Sequence, residues 1–63
     1  MHVTQARYLV RKLTIIDDKG VESVHSLVYF DVDSEGKISI TPFDRERPGY
    51  EYLDSLVVTS PHQ

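Results

Sequence analysis

Hydrophobic and polar residues alternate along several short stretches of this chain, with the period of two that is typical of β-strands. The clearest stretch runs from Val21 to Asp33 and is rich in Val, Tyr and Phe, which favour strands. Simple alternation divides its side chains between two faces: Val24, Val28, Phe30 and Val32 on one, and His25, Leu27 and Tyr29 on the other. The pattern therefore predicts a long strand with apolar residues on both faces.

A second strand is predicted from Lys37 to Thr41, where the alternation is strict and places Ile38 and Ile40 inward. Pro42 follows at once. Because proline lacks the amide hydrogen of a sheet ladder, it ends this strand or confines it to an edge. We expect a short edge strand here.

The N-terminal segment allows two interpretations. Its apolar residues have the spacing of an amphipathic helix: Val3, Ala6, Val10 and Leu13. Against a helix stand the β-branched residues that follow and the pair Asp17 and Asp18, which would lie at the negative end of the helix dipole. We predict a strand over about Arg7 to Ile16 and keep the helix as the alternative.

The two predicted hairpin turns share one pattern, an apolar residue followed by a polar turn and a glycine. They are Asp17 to Gly20 and Asp33 to Gly36. A type I turn followed by a left-handed residue closes a hairpin, and glycine adopts that conformation without steric cost. We therefore predict that Gly20 and Gly36 are left-handed.

The longest loop is predicted over Asp44 to Gly49, which alternates in charge and ends in a Pro-Gly turn signal. Beyond it, Tyr50 to Leu53 and Leu56 to Thr59 form either two short arms about Asp54 and Ser55 or one strand. A single helical turn is the third alternative.

Together these elements predict one all-β domain over residues 1–63, with a frayed tail at residues 60–63. The fold class is a small antiparallel meander of four or five strands. Its sheet is expected to curl toward a barrel or a half-sandwich.

Several segments in the second half of the chain form a further pattern: Val28-Tyr29-Phe30-Asp31, Gly36-Lys37-Ile38, Pro42-Phe43, Glu46 and Leu53-Asp54-Ser55-Leu56-Val57-Val58. In this order they resemble a group of short, uncharacterised bacterial β-rich proteins of unassigned function. Those proteins tend to carry glycine at the position of Ser55. The resemblance implies a β-rich fold and supplies no function.

The chain is short for a stable domain. A protein of 63 residues buries only about 60% of the surface that its unfolded chain exposes, so its core is small. The chain has no cysteine, which excludes disulfides and thiolate zinc sites. Self-association is the means of stabilisation that remains.

Charge and hydropathy narrow the choice of partners. Ten acidic and seven basic residues give a net charge of −3, which disfavours long-range attraction to nucleic acid. No stretch approaches the roughly 18 apolar residues of a membrane helix. We expect a soluble, cytoplasmic protein that does not bind membranes.

Candidate chemistry is limited. Asp31 to Ile38 resembles the start of an EF-hand calcium loop, but Pro42 stands where the closing glutamate should be. We interpret this segment as a hairpin turn and expect no metal and no other cofactor. His25 has the chemistry for proton transfer but lies in a strand, and no serine has the elbow motif of a hydrolase. We predict a non-enzymatic protein.

One alternative function rests on basic residues of the first strand. Arg7 and Arg11 share a face with Lys12 beside them, and surface tyrosines could stack on single-stranded nucleic acid in a small β-barrel. The same arginines could instead pair with acidic residues of a neighbouring strand. The negative net charge favours that second interpretation.

Apolar residues on both faces of the same strands predict assembly. Burying one face leaves the other uncovered, and a second copy of the chain is the expected cover. The residues predicted at this surface are Leu27, Tyr29, Leu56 and Val58. We therefore predict a small binding or assembly module that self-associates through a sheet face or edge, with a homodimer favoured and another protein as the alternative partner.

Overall fold

The computed structural model describes residues 5–59 as one sheet of four strands. The strands are β1 (Ala6–Ile16), β2 (Glu22–Val32), β3 (Ile38–Pro42) and β4 (Glu51–Thr59). No helix is present in these residues, so the all-β prediction is confirmed and the helical alternative for the N-terminal segment is wrong. The last strand is one element and not two arms. The tail predicted at residues 60–63 lies outside the described residues.

The sheet is mixed, with the strand order β3-β2-β1-β4. β2 pairs antiparallel with β1 and with β3, but β4 lies beside β1 and runs parallel to it. The prediction of an antiparallel meander is therefore correct for the first three strands and wrong for β4. The reason is that the chain makes no hairpin after Pro42. It crosses the sheet through residues 43–50, here called the crossover loop, and enters the opposite edge in the same direction.

Both hairpin turns have the predicted geometry. Gly20 and Gly36 have φ angles of 84° and 82°. Their amides donate to the carbonyl oxygens of Asp17 at 3.0 Å and Asp33 at 2.9 Å, respectively. Each aspartate also accepts two backbone amides of its own turn through Oδ1. The Asp33 carboxylate is thus a turn cap, which argues against the calcium-loop interpretation.

The core lies on one side of the sheet, which we call the inner face. Val10 and Leu13 are fully buried there, with Val28 and Phe30 beside them. Partly buried residues pack around these four: Tyr8, Ile15, Val32, Ile40, Leu53, Leu56 and Val58. Since the described residues form a single sheet, burial of this face requires the sheet to curl over its own side chains. It does not close, because β3 and β4 are not paired with each other.

The alternation of side chains changes phase at one row that crosses three strands. On β1 the core positions run from Val10 to Leu13, a spacing of three instead of two, and on β4 they run from Leu53 to Leu56. The row itself consists of Arg11, Leu27 and Asp54, and the strand registers pair residues on both sides of it but not at it. We call it the shift row.

The shift row corrects two predictions about β2. Val24 lies on the opposite, outer face with 57% of its surface exposed, whereas His25 lies beside Leu13 on the inner side. The prediction for the edge strand also needs correction, because Ile38 is 41% exposed and only Ile40 is half-buried against the core.

At the shift row each strand places two consecutive residues on the outer face, as in a β-bulge. This lengthens the outer face relative to the inner face and so bends the sheet over its core. Leu27 adopts a φ of 54° at this point. A left-handed conformation costs a residue with a Cβ about 1–2 kcal/mol, so the bend stores strain at Leu27.

Replacing the turn glycines tests the left-handed turns. We expect Gly20→Val and Gly36→Val each to lower the free energy of unfolding by about 1 kcal/mol or more, since a β-branched residue fits a positive φ poorly. The space around both positions is open, so the effect arises from the backbone and not from a clash. Gly36→Asn is the control and should cost less, because asparagine tolerates this conformation. Equal stability of all variants in urea denaturation would contradict the assignment.

The strain at Leu27 predicts that the glycine variant is more stable than the alanine variant there, the reverse of the usual order in strands. In ordinary strands glycine is less stable than alanine by roughly 0.5–1 kcal/mol. At Leu27, where φ is positive, Leu27→Gly should be more stable than Leu27→Ala by about 1 kcal/mol. Thr14→Gly and Thr14→Ala on β1 are the control pair and should keep the ordinary order. The same order at both positions would show that Leu27 is not strained.

Candidate functional site

The outer face is divided between a covered half and an uncovered half. The shift row separates the two halves. The crossover loop covers the half in which β2 pairs with β3, and Tyr29, only 1% exposed, anchors the loop there. The Tyr29 hydroxyl donates to the carbonyl oxygen of Arg45 and accepts the amide of Arg47 at 3.0 Å. Its ring lies 5.8 Å from that of Phe43 and 4.4 Å from that of Tyr50, centroid to centroid. One side chain thus holds both ends and the middle of the loop.

A second group of contacts ties the end of the loop to two strands. The Arg7 Nε donates to Asp31 at 3.2 Å, and the Tyr50 hydroxyl donates to the other carboxylate oxygen at 3.0 Å. The Arg7 guanidinium also lies 4.3 Å from the centroid of the Tyr50 ring. Hydrogen bonds to Tyr50 and Asp31 raise the pKa of Arg7, which stays charged. Each of the three side chains contacts the other two.

Two further ion pairs hold exposed charges in place. Arg11 binds Asp54 across β1 and β4 at 2.6 Å, and Arg47 binds Asp44 within the crossover loop at 2.9 Å. The hydrogen bond from Arg11 lowers the pKa of Asp54, and the hydrogen bond from Arg47 lowers the pKa of Asp44. Both carboxylates are therefore ionised at neutral pH.

These pairs account for the basic residues of the predicted nucleic-acid face. The structure places Arg7 and Arg11 on the same face of β1, as predicted, with Lys12 exposed next to them. Both arginines already bind a carboxylate of a neighbouring strand. Their charge is thus largely neutralised before any phosphate could approach.

A shallow cleft of about 310 Å³ lies at the end of the sheet near the second turn. Its lining is Gln5, Arg7, Asp31, Val32, Asp33 and Ser39. Arg7 and Asp31 bind each other, and Asp33 caps the turn. In residues 5–59 no cluster of three or more His, Cys, Asp or Glu side chains could hold a metal. The charged groups of this cleft thus have structural partners.

The uncovered half of the outer face lies beyond the shift row. Thr14 of β1 pairs with Val24 of β2 on one side and with Val57 of β4 on the other. The two valines are 57% and 62% exposed. This row is apolar, and nothing in the described residues packs over it.

The same half of the sheet has an unpaired edge. β3 pairs only with Val28 to Val32, so it covers about half of β2. The remaining part, Glu22 to Ser26, pairs with β1 on one side and with no strand of the described chain on the other. We call this segment the free edge. Val21 and Leu27 flank it and are 59% and 39% exposed.

The predicted self-association residues are not brought together. Tyr29 does point away from the core, but the crossover loop buries it, so the prediction of an accessible Tyr29 is wrong. Leu56 and Val58 lie half-buried on the inner face. Leu27 is exposed. Val57 is exposed on the outer face but was not predicted at this surface. Val24 lies on the face opposite to the predicted one, because simple alternation carries no signal for the shift row.

Removing the Tyr29 hydroxyl tests its role as the anchor. We expect Tyr29→Phe to lower the free energy of unfolding by about 1–2 kcal/mol, because two backbone groups of the loop lose their partner. Hydrogen exchange at the Arg47 amide should become faster. Tyr8→Phe on the inner face is the control and should leave that amide unchanged. An unchanged Arg47 amide in Tyr29→Phe would show that the hydroxyl does not hold the loop.

Comparison with known proteins gives no relative. The chain matches no family model, no curated protein and no solved structure. Residues 5–59 include no helix that is long and apolar enough to cross a membrane.

Proposed function

We propose that this chain is a small, non-enzymatic binding module whose sheet assembles with a second copy of itself. The observation that carries the proposal is the uncovered half of β2, where an unpaired edge and exposed apolar side chains coincide. Val21, Val24 and Leu27 all lie along this half and are 39–59% exposed. An edge of this kind pairs readily with another strand unless it is covered.

Self-association is favoured because it would cover apolar surface that the single chain leaves exposed. The inner face is covered by curling, and half of the outer face is covered by the crossover loop, which leaves no further segment of residues 5–59 to cover the rest. Each fully buried Val or Leu side chain contributes roughly 1.5–3 kcal/mol. A few such residues across an interface are comparable with the whole stability of a small domain.

The contacts of the charged residues support binding and not catalysis. Arg7, Asp31 and Tyr50 satisfy one another, and Asp33 stabilises its turn. Asp31 and Asp33 line the shallow cleft, but both are already bonded within the fold, whereas a catalytic carboxylate must be free to act on a substrate. The ion pairs of Arg7 and Arg11 also weigh against the nucleic-acid alternative.

Sedimentation of the parent and one variant tests the proposal. We expect the parent to form a dimer whose population rises with concentration. Leu27→Glu should weaken this dimer at least about tenfold, which corresponds to about 1.4 kcal/mol, because association would remove the new carboxylate from water. Tyr52→Glu is the matched control, since Tyr52 is also exposed (54%) but lies on β4, away from the free edge.

Two results would contradict the proposal. One is a parent that sediments as a monomer at every concentration. The other is an equal effect of Leu27→Glu and Tyr52→Glu, which would mean that the uncovered half of β2 has no special part in assembly.

A further inference from the structure

We infer that two copies of the chain pair antiparallel along the free edge, with the two-fold axis at Val24. This inference rests on the proposed self-association and names its surface and register. The paired segment is Glu22 to Ser26, and the product is one sheet that continues from one copy into the next. Three features of the free edge support this pairing: the direction of its backbone groups, the side chains that would lie opposite one another, and the limits of the edge.

The hydrogen bonds of the chain fix which backbone groups of β2 face outward. The Asp17 amide donates to the Val21 carbonyl oxygen at 3.0 Å, so the polar groups of Val21 face β1. Because these directions alternate along a strand, the amides and carbonyls of Glu22, Val24 and Ser26 face the free edge. Each of these residues can therefore exchange hydrogen bonds with another strand.

The other end of β2 gives an independent check of this assignment. The Leu27 carbonyl oxygen accepts the Phe43 amide at 3.1 Å, on the side of β3. The backbone groups of Ser26 and Leu27 thus both point away from β1, as those of two consecutive residues do at a bulge. The free edge is regular up to Ser26 and ends where the line of β3 begins.

One antiparallel register uses all the outward groups. With the axis at Val24, the two Val24 residues pair with each other. On either side of the axis, Glu22 of one copy pairs with Ser26 of the other. Each of these pairs exchanges two hydrogen bonds, so about six form in total. An axis one residue away would leave one of the three residues of each copy without a partner on the edge.

The side chains agree with the same register. The two Val24 side chains meet on the outer face, where each is 57% exposed in the single chain. Glu22 lies opposite Ser26, so no two carboxylates face each other.

The interface closes on itself because the free edge is bounded. β3 occupies the rest of β2, so two copies match and no third copy can continue along the same edge. The outer edge of β3 is only five residues long and ends in Pro42, and the edge on β4 is interrupted at its centre by the shift row and carries Asp54 and Glu51. Bulges and charges of this kind discourage pairing. A closed dimer is therefore favoured over a fibre.

Disulfide cross-linking tests the register directly, because the chain has no native cysteine. In Val24→Cys the two Cα atoms of a hydrogen-bonded antiparallel pair lie about 5.5 Å apart, which suits a disulfide. We expect mild oxidation to convert most of this variant to a covalent dimer. Val57→Cys is the matched control, an equally exposed valine on the same face, and it should cross-link only at the level of random collisions.

Substitution at the axis gives the second measurement. Val24→Pro removes an amide that faces the free edge and leaves the pairing with β1, so we expect a folded monomer. Val24→Lys should give the same result, because two ammonium groups would meet at the axis. Val24→Lys replaces the proline variant as the test if Val24→Pro does not fold. A variant counts as folded if its circular dichroism spectrum matches that of the parent.

The outcomes separate the inference from the proposed function. A dimeric parent with little cross-linking of Val24→Cys and a dimeric Val24→Lys would overturn the edge register and leave self-association standing. A parent that is monomeric throughout would overturn both. Monomeric axis variants together with efficient Val24→Cys cross-linking would support both.

Discussion

A single sheet without a covering layer must hide its apolar side chains by bending, and the shift row is what makes this bend. Three adjacent strands change phase together, at Arg11, Leu27 and Asp54, so their register is kept while the inner face becomes concave. Val10 and Leu13 lie on the two sides of this row, and both are fully buried. The core, the strained Leu27 backbone and the division of the outer face all follow from it.

The outer face shows how the same sheet manages its second apolar surface. The crossover loop lies over one half because β3 and β4 run in the same direction at opposite edges, which obliges the chain to cross the sheet. Tyr29 holds that loop through its hydroxyl and its ring. The other half keeps Val24 and Val57 exposed. The exposed apolar surface of this half is thus a consequence of topology and not of composition alone.

The strands and turns could be predicted from local chemistry, whereas the order and direction of the strands in the sheet could not. Gly20 and Gly36 follow from the turn residues around them, and the strand bounds follow from alternation. The parallel pairing of β4 depends on where a loop leads, which no local pattern encodes. The shift row also gives no local signal that identifies it as a bend in a sheet. Its spacing of three from Val10 to Leu13 resembles a helical repeat, and it reverses the faces of Val24 and His25.

Amide hydrogen exchange on β2 tests most directly whether a second copy completes the unpaired edge of this strand. The amides of Glu22, Val24 and Ser26 face the free edge, whereas those of Ser23 and His25 face β1. We predict that the first three exchange slowly at high protein concentration and quickly after dilution, while the other two remain protected in both conditions. Rapid exchange of the Val24 amide at every concentration would contradict pairing along the free edge.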